Sequence, residues 1–175
     1  MSVPAPAPAG RRGSGLHVLS VAVAAGVLAL DQLTKAWALE ALDDRTIHLF
    51  WTLQLNLTFN SGMAFGQAEG WGPVIGVVAL VVIIALLLSL RRSGSRLSAV
   101  AIGMVIGGAL GNLADRAFRG GEGFLQGSVV DFIDFQWWPV FNVADIGVVV
   151  GGLLLVFDNF RHRDEPATGD PPPAA

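Results

Sequence analysis

Two aspartates, Asp131 and Asp145, are the residues whose type and spacing most directly suggest chemistry. Asp131 follows a Gly-rich turn, and Asp145 lies in an apolar stretch long enough to form a helix. Two carboxyl groups in a low-dielectric cleft share a proton, because they cannot both ionise easily. One then activates water as a general base while the other protonates or polarises a scissile carbonyl group. Asp134 is an alternative acid, since spacing does not separate it from Asp131.

Other polar residues stand one helical turn apart, which places each pair on one face of a helix. Asp31 and Lys35 form one such pair, and Asn112 and Arg116 form another. Asp115 is next to Arg116, where we expect it to hold the guanidinium group. Ionisable residues inside membrane helices are costly and by default mark function. The alternatives are an ion pair that eases insertion of Asp31 and Lys35, and an Arg116 side chain that reaches the membrane interface.

Asn142 and Asp145 are three residues apart and would share a helix face. If the last helix begins at Pro139, Asp145 lies about two turns inside it. That depth argues against simple hydration of its carboxylate.

Several kinds of site are excluded by the composition. The chain has no cysteine, so thiolate catalysis, disulfides and Cys-ligated metals are excluded. The three histidines, His17, His48 and His162, are far apart in the predicted topology, so we expect neither a metal site nor a Ser/His/Asp arrangement. The few cations form no clustered basic face, so nucleic acid is not an expected partner.

The elements that must position these residues are membrane helices. Of the 175 residues, 53% are hydrophobic and only 14% are charged, whereas soluble domains are about one quarter charged. A helix needs about 20 mostly apolar residues to span a bilayer. Four stretches meet or approach this length: 16–30 with its continuation through Asp31, 73–90, 97–114 and 139–157. The first stretch also resembles a cleavable secretory signal, but Asp31, Lys35 and Trp37 argue against cleavage after it.

The cations predict the orientation. An even number of spans puts three Arg groups on one side, which the positive-inside rule makes cytoplasmic. Both termini are then cytoplasmic. All five tryptophans fall at or near the opposite side, as an aromatic belt would. The Arg groups are 11–12, 91–92 with 96, and 161 with 163.

One outer connection contains a strand pattern. Residues 51–60, WTLQLNLTFN, alternate strictly between apolar and polar residues, which indicates a β-strand. We expect a small amphipathic β-segment on the outer membrane surface, with its apolar face toward lipid or the helix tops. The predicted fold is therefore an all-α polytopic membrane protein with four transmembrane helices and this β-segment. Residues 16–160 form the membrane domain, and residues 1–15 and 161–175 are disordered cytoplasmic tails rich in Pro and Ala.

The motifs taken together resemble those of the lipoprotein signal peptidases (signal peptidase II), the bacterial aspartic peptidases of the inner membrane. Any one of the matching blocks is weak evidence, but five in order relative to four apolar stretches are highly specific. The resemblance covers roughly residues 16–160. The blocks are DQLTK at 31–35, NSGMAF at 60–65, GNLADR at 111–116, VVDF at 129–132 and FNVAD at 141–145.

The resemblance implies that Asp131 and Asp145 are the catalytic dyad, in preference to Asp134. It implies removal of signal peptides from prolipoproteins, immediately before a Cys that carries diacylglyceryl. No metal or organic cofactor is implied. The expected partners are these substrates and membrane lipid, the expected state is a monomer, and the active site faces the outer side of the cytoplasmic membrane. The residues expected to bind or position substrate are Asp31, Lys35, Asn60, Gly62, Asn112, Arg116 and Asn142.

A small transporter with a proton or ion relay is the main alternative. It predicts polar residues through the whole membrane thickness. The second apolar stretch has no charge, and the polar residues cluster at one end of the helices. The sequence therefore favours the peptidase.

Overall fold

Each of the four apolar stretches forms a helix in the computed structural model. The structure describes residues 10–62, 71–90, 95–121 and 123–163, with the side chains of residues 10–13 and 162–163 excepted. The helices and strands are α1 Gly10–Ala41, β1 Ile47–Phe50, β2 Leu53–Asn60, α2 Gly72–Leu90, α3 Arg96–Phe118, β3 Val129–Asp134 and α4 Val143–Arg163. All four helices are long and apolar enough to cross a membrane.

Glycines allow α3 to pack closely against two other helices, and α3 is the most buried of the four. On one face, Gly103 and Gly107 lie against the backbone of α1 at Ser20 and Ala24. On another face, Gly108 contacts the backbone of α4 at Ala144. Small residues at membrane helix interfaces let the backbones approach, and van der Waals packing then stabilises the pair. These contacts make α3 the centre of the bundle.

We expect Gly103→Ala to lower the free energy of unfolding by about 1–3 kcal/mol, a typical overpacking cost. A Cβ atom there would lie 2.6 Å from the Ser20 carbonyl oxygen and 2.9 Å from Val23 Cβ. Gly152→Ala is the control, because no atom lies within 4 Å of its Cβ position. Denaturant titration in mixed micelles measures both. Equal stability of the two variants would contradict this account of the α1–α3 contact.

A three-stranded antiparallel sheet in the order β1-β2-β3 covers one end of the bundle, which we call the sheet end. Its apolar side chains pack on the end of α1. Phe132 of β3 is buried with Ala38 and Leu42, and Leu55 and Leu57 of β2 pack against the same cluster. Burial of this apolar surface attaches the sheet to the helices.

Three details of the predicted elements need correction. The strand expected at residues 51–60 begins at Leu53, because Trp51 has φ +49° and belongs to the β1–β2 turn. The sheet also contains β1, which was not expected, and β3, where the apolar residues around Asp131 suggest a short strand or loop. The fourth helix begins at Val143 rather than Pro139, because Phe141 is still extended and pairs with Ile133. Asp145 therefore lies in the first helical turn, not two turns inside.

The predicted boundaries of the two tails also shift. The first helix begins at Gly10 instead of Leu16, and α4 continues to Arg163. Helical hydrogen bonds are made within the segment, so a helix can extend beyond an apolar stretch: the 32 residues of α1 span about 48 Å. Residues 1–9 and 164–175 lie outside the described part of the chain. Residues 63–65 of the NSGMAF block, and Arg91 and Arg92, also lie outside it.

Candidate active site

A cleft at the sheet end holds both candidate catalytic carboxyl groups. Its volume is about 460 Å³, and Asp131 from β3 and Asp145 from α4 are among its lining residues. The rest of the lining is mostly apolar and comes from α2, α3 and α4, including Val82, Val105 and Val148. Polar groups thus meet at one end of an apolar groove, which is the usual form of a binding site.

Asn142 bridges the two carboxyl groups. Its Nδ2 atom donates to Asp131 Oδ1 at 2.6 Å. Its backbone N–H donates to Asp145 Oδ2 at 3.2 Å, and the Asp145 N–H donates to Asn142 Oδ1 at 3.0 Å. The reciprocal pair is a capping box, in which the N-cap residue and the third helical residue satisfy each other's N–H groups. The start of α4 therefore sets the position of both carboxyl groups.

The Asp131 carboxyl group is almost fully buried, with 2% of the residue exposed. Its Oδ2 atom accepts a hydrogen bond from Asn60 Nδ2 at 3.1 Å. Burial raises the pKa of Asp131 to about 6, and the negative charge of Asp145 contributes to the rise, although the hydrogen bonds from Asn60 and Asn142 oppose it. Proximity of two carboxyl groups and desolvation are the conditions under which a proton is retained near neutral pH.

The Asn60 amide is oriented by a turn. The Gly62 N–H donates to Asn60 Oδ1 at 3.0 Å, which leaves Nδ2 for Asp131. Gly62 has φ +108°, and a Cβ atom there would lie 2.7 Å from Gly72 N. Only glycine fits this conformation without strain.

The Asn112 amide connects Asp145 to Lys35. Asn112 Nδ2 donates to Asp145 Oδ1 at 2.8 Å, and Asn112 Oδ1 accepts from Lys35 Nζ at 2.9 Å. An ammonium group can only donate, so Lys35 requires the amide oxygen to face it and the amide nitrogen to face Asp145. Lys35 also forms ion pairs with Asp31 at 2.9 Å and Asp115 at 2.8 Å. The predicted Asp31–Lys35 pair is thus present.

Asp31 also connects two helices. Its Oδ1 atom accepts a hydrogen bond from the Ala144 N–H at 2.9 Å. Ala144 is in the first turn of α4, where N–H groups have no partner inside the helix. Asp31, which has 0% exposure, therefore caps α4 from α1 instead of facing the cleft.

The expectation that Asp115 holds Arg116 needs revision, because its ion pairs are made with other cations. Asp115 instead pairs with Lys35, with Arg119 at 2.6 Å and with the Val130 N–H at 3.1 Å, next to Asp131. Side chains at i and i+4 share a helix face, whereas those at i and i+1 diverge, so Arg119 is the reachable partner.

Gln32 and Arg119 complete this network, and neither was singled out as a site residue in the sequence. Gln32 Nε2 donates to Asp115 Oδ1 at 3.1 Å, and Arg119 Nη2 donates to Gln32 Oε1 at 3.2 Å. The spacing of four between Asp115 and Arg119 was the available signal. Nothing in the sequence around Gln32 indicated its contacts with α3.

Arg116 lies in the cleft wall with an unsatisfied donor. The residue is 6% exposed, and its Nη1 atom has no hydrogen-bond partner among the residues that the structure describes. A buried unpaired donor is costly and calls for an explanation. Its position beside both carboxyl groups makes a substrate oxygen atom a suitable acceptor.

Asp134 is engaged elsewhere. Its Oδ2 atom accepts from Gln54 Nε2 at 2.7 Å, and its Oδ1 atom accepts from the Gln136 N–H at 2.6 Å. It does not line the cleft. Gln136 has φ +67°, so Asp134 stabilises the turn that ends β3.

Among the described residues, no group of three or more His, Cys, Asp or Glu side chains is suited to hold a metal ion.

All nine predicted site residues come together in two groups. The group lining the cleft is Asn60, Gly62, Asn112, Arg116, Asp131 and Asp145. The group behind it, buried and in contact with the first, is Asp31, Lys35 and Asn142.

Comparisons with known proteins identify the family of the chain. The family model described as "Signal peptidase (SPase) II" matches residues 23–161. The chain is 46% identical to the lipoprotein signal peptidase of Mycobacterium avium over 140 residues, which are 79% of this chain and 76% of the relative. It is 44% identical to that of Rhodococcus jostii over 142 residues, 80% and 71% of the two chains.

Two solved structures, each described as a bacterial membrane enzyme, share the fold. One has a TM-score of 0.71 at 25% identity and covers 87% of this chain and 93% of its own. The other has a TM-score of 0.68 at 27% identity and covers 81% and 92%. The match extends over most of both chains and does not favour a transporter. The chain therefore belongs to the signal peptidase II family and is a multi-pass membrane peptidase that removes signal peptides.

Proposed function

We propose that this protein is an aspartic endopeptidase that removes signal peptides from diacylglyceryl-modified prolipoproteins, cleaving before the lipidated Cys. Asp131 and Asp145 are its catalytic dyad. The observation that carries the proposal is that Asn142 holds both carboxyl groups at the polar end of an otherwise apolar cleft. The names of the relatives support the substrate class.

Asp145 acts as the general base in this proposal. Its two oxygen atoms accept hydrogen bonds from Asn112 and from the Asn142 backbone, and it lies in the first turn of α4. Unpaired N–H groups give a helix N-terminus a partial positive charge, which favours a carboxylate there. The Lys35 ammonium group, one amide away, acts in the same direction, and these effects oppose the burial of the carboxylate.

Asp131 then carries the shared proton as the general acid. Asp145 removes a proton from water, whose oxygen attacks the scissile carbonyl carbon, while Asp131 donates its proton to the carbonyl oxygen. In the second step, Asp145 returns a proton to the amide nitrogen and Asp131 recovers one from a hydroxyl group of the tetrahedral intermediate. The C–N bond breaks, and a carboxyl and an amine terminus are released.

The remaining polar residues have two kinds of role in the proposal. Arg116, whose Nη1 atom has no hydrogen-bond partner in the described part of the chain, binds a carbonyl oxygen of the substrate. Asn60, Gly62 and Asn112 line the cleft and position the dyad and the peptide. The three buried residues act through others and do not touch substrate: Asp31, Lys35 and Asn142.

The proposal includes the setting of the enzyme. The protein lies in the cytoplasmic membrane as a monomer in contact with lipid. The sheet end faces outward, and both termini face the cytoplasm. The distribution of arginines and tryptophans in the sequence supports this orientation. The substrate signal peptide is itself a membrane helix, so a dyad near one end of the bundle is at a suitable height.

The direct test is cleavage by the purified protein in lipid nanodiscs. We expect it to release the signal peptide from a diacylglyceryl prolipoprotein and to leave a product that begins with the lipidated Cys, as read by mass spectrometry. The matched control is the same prolipoprotein with Ser in place of that Cys, which cannot be lipidated and should remain uncleaved. Cleavage at another bond, or equal cleavage of the control, would refute the substrate assignment.

The acid role of Asp131 predicts the pH dependence. A pKa of about 6, above the usual value of 3.8, means that the group keeps its proton up to about pH 6 and loses it as pH rises further. We expect kcat/KM to fall above pH 6, approaching tenfold per pH unit, with an apparent value that belongs to the coupled pair. Initial rates between pH 5 and 8 measure this. A rate that rises across this range would contradict the assignment of the acid.

A further inference from the structure

The loop between α3 and β3 contacts the start of α2 at two glycines one turn apart. The carbonyl oxygen of Leu125 lies 3.0 Å from the position that a Cβ atom of Gly72 would take. The Leu125 side chain occupies the space over Gly76, with Cδ1 only 2.6 Å from the corresponding Cβ position. A side chain larger than hydrogen at Gly76 would therefore collide with Leu125.

Leu125 reaches this contact with an unusual backbone. Its φ is +55°, in the left-handed region that bulky residues rarely adopt, and it is buried with 6% exposure. Leu125 is the third residue of a turn in which the Gln126 N–H donates to the Gly123 carbonyl oxygen at 3.4 Å, and Trp51 and Gln136, which also have positive φ, lie in turns as well. A buried leucine in this conformation persists only when its surroundings determine it. The turn and the fit of the side chain over Gly76 both hold it there.

Two glycines attach the first half of α2 to the bundle. The buried residues of α2 form one stripe, Gly72, Gly76, Ile83 and Leu90. The last two pack into the apolar cluster with α3. At the sheet end, Gly72 lies close to the Ser61–Gly62 turn as well as to the Leu125 carbonyl oxygen, whereas Gly76 contacts the Leu125 side chain.

The same half of α2 forms a wall of the cleft. Ile75, Gly76, Val78 and Ala79 line the cleft, facing Ala109 of α3 and Val148 of α4. Any displacement of α2 at the sheet end would change the space beside the two carboxyl groups. Because Gly76 contacts Leu125 and also lines the cleft, a shift of Leu125 would change the position of the α2 wall.

We propose that Leu125 seated on Gly76 holds α2 at the distance that sets the width of the cleft, which makes these two residues specificity-determining positions. The side-chain size accepted beside the cleaved bond then depends on a residue outside the cleft. The consequence for specificity rests on the proposed peptidase function. The packing of Leu125 on Gly76 and its effect on the position of α2 can be measured without catalysis.

The first experiment measures the α2–α4 distance. The chain has no cysteine, so spin labels can be placed only at Val74→Cys and Val149→Cys, which are both exposed. Pulsed electron spin resonance in nanodiscs should show a longer or broader distance distribution for Gly76→Ala and for Leu125→Ala than for the labelled parent. The double variant should return toward the parent, because removal of the Leu125 isobutyl group makes room for the new methyl group.

Gly152→Ala on α4, which meets no atom within 4 Å, is the matched control and should leave the distribution unchanged. Leu125→Met preserves most of the apolar volume and should leave the distribution close to that of the parent. Unchanged distributions in both single variants, or a double variant displaced as far as the sum of the two, would overturn the proposal.

The second experiment compares two lipidated substrates that differ by one methylene group on the signal-peptide side of the cleaved bond. An apolar pocket can discriminate such a pair by about 10- to 200-fold. We expect Leu125→Ala to reduce the ratio of kcat/KM values by about threefold or more, while Gly152→Ala preserves it. A preserved ratio in Leu125→Ala would overturn the specificity claim. If the parent cleaves neither substrate, the peptidase proposal fails. The α2–α4 spin-label distances still test whether Leu125 holds α2 in place.

Discussion

Asp131→Asn and Asp145→Asn are each expected to lower the rate of signal-peptide release by about 10²- to 10⁴-fold, the contribution of a positioned acid or base. An amide can neither take the proton of water nor supply one to the carbonyl oxygen. The substitution preserves size, and Asn142 can still hydrogen-bond the remaining oxygen. Single-turnover cleavage of the lipidated prolipoprotein measures the loss.

Asp134→Asn is the matched control for this prediction. It lies in the same strand, is also buried, at 8% exposure, and binds Gln54 and Gln136 away from the cleft. We expect it to retain cleavage, and thermal unfolding should show all three variants folded. Loss of activity in Asp134→Asn with retention in Asp131→Asn would show that Asp134, and not Asp131, is the catalytic acid. Activity retained by both dyad variants would refute the aspartic mechanism.

Lys35→Met is expected to be the most destabilising of the substitutions considered, with a loss of about 3–5 kcal/mol in the free energy of unfolding. Lys35 has 0% exposure and forms ion pairs with Asp31 and Asp115, which are also fully buried. Replacing the ammonium group by an apolar chain of similar length leaves two buried carboxylates without their shared cation. Unfolding in mixed micelles measures the loss.

Arg45→Met is the control for the loss of a cation, because Arg45 is exposed and its Nε atom donates to the Ala41 carbonyl oxygen at the end of α1. Exposed substitutions usually change stability by less than about 0.5 kcal/mol. Lys35→Met combined with Asp31→Asn should recover part of the loss, because one uncompensated charge is removed. A double variant less stable than Lys35→Met alone would show that the charge balance is not the cause.

The choice between Asp131 and Asp134 shows what the tertiary structure adds. The two residues are three apart in a strand, so their side chains point to opposite faces of the sheet. Sequence spacing predicts that opposition but not which face meets the cleft. Pairing with β2 decides it, since Thr58 lies opposite Asp131 and Gln54 lies opposite Asp134.

The start of α4 is a second feature that the sequence predicted only in part. Apolar composition predicted a helix near residues 139–157, but it did not indicate that Phe141 would pair with Ile133 and delay the first turn. The later start places Asp145 in a capping box, where its carboxylate is oriented by the backbone. The position of Asp145 thus depends on a contact between the sheet and the segment that precedes the helix.

By itself, the sequence determined the four helices and the clustering of polar residues at one end of them, because apolar length and i, i+4 spacing are local properties that survive in any context. The five motif blocks determined the family. Only the tertiary structure decided which polar residues line the cleft and which support it, as contacts such as Asp31 with Ala144 join residues 113 positions apart. It also decided that Leu125 rests on Gly76, because that contact joins the α3–β3 loop to α2, which is far from it in the sequence.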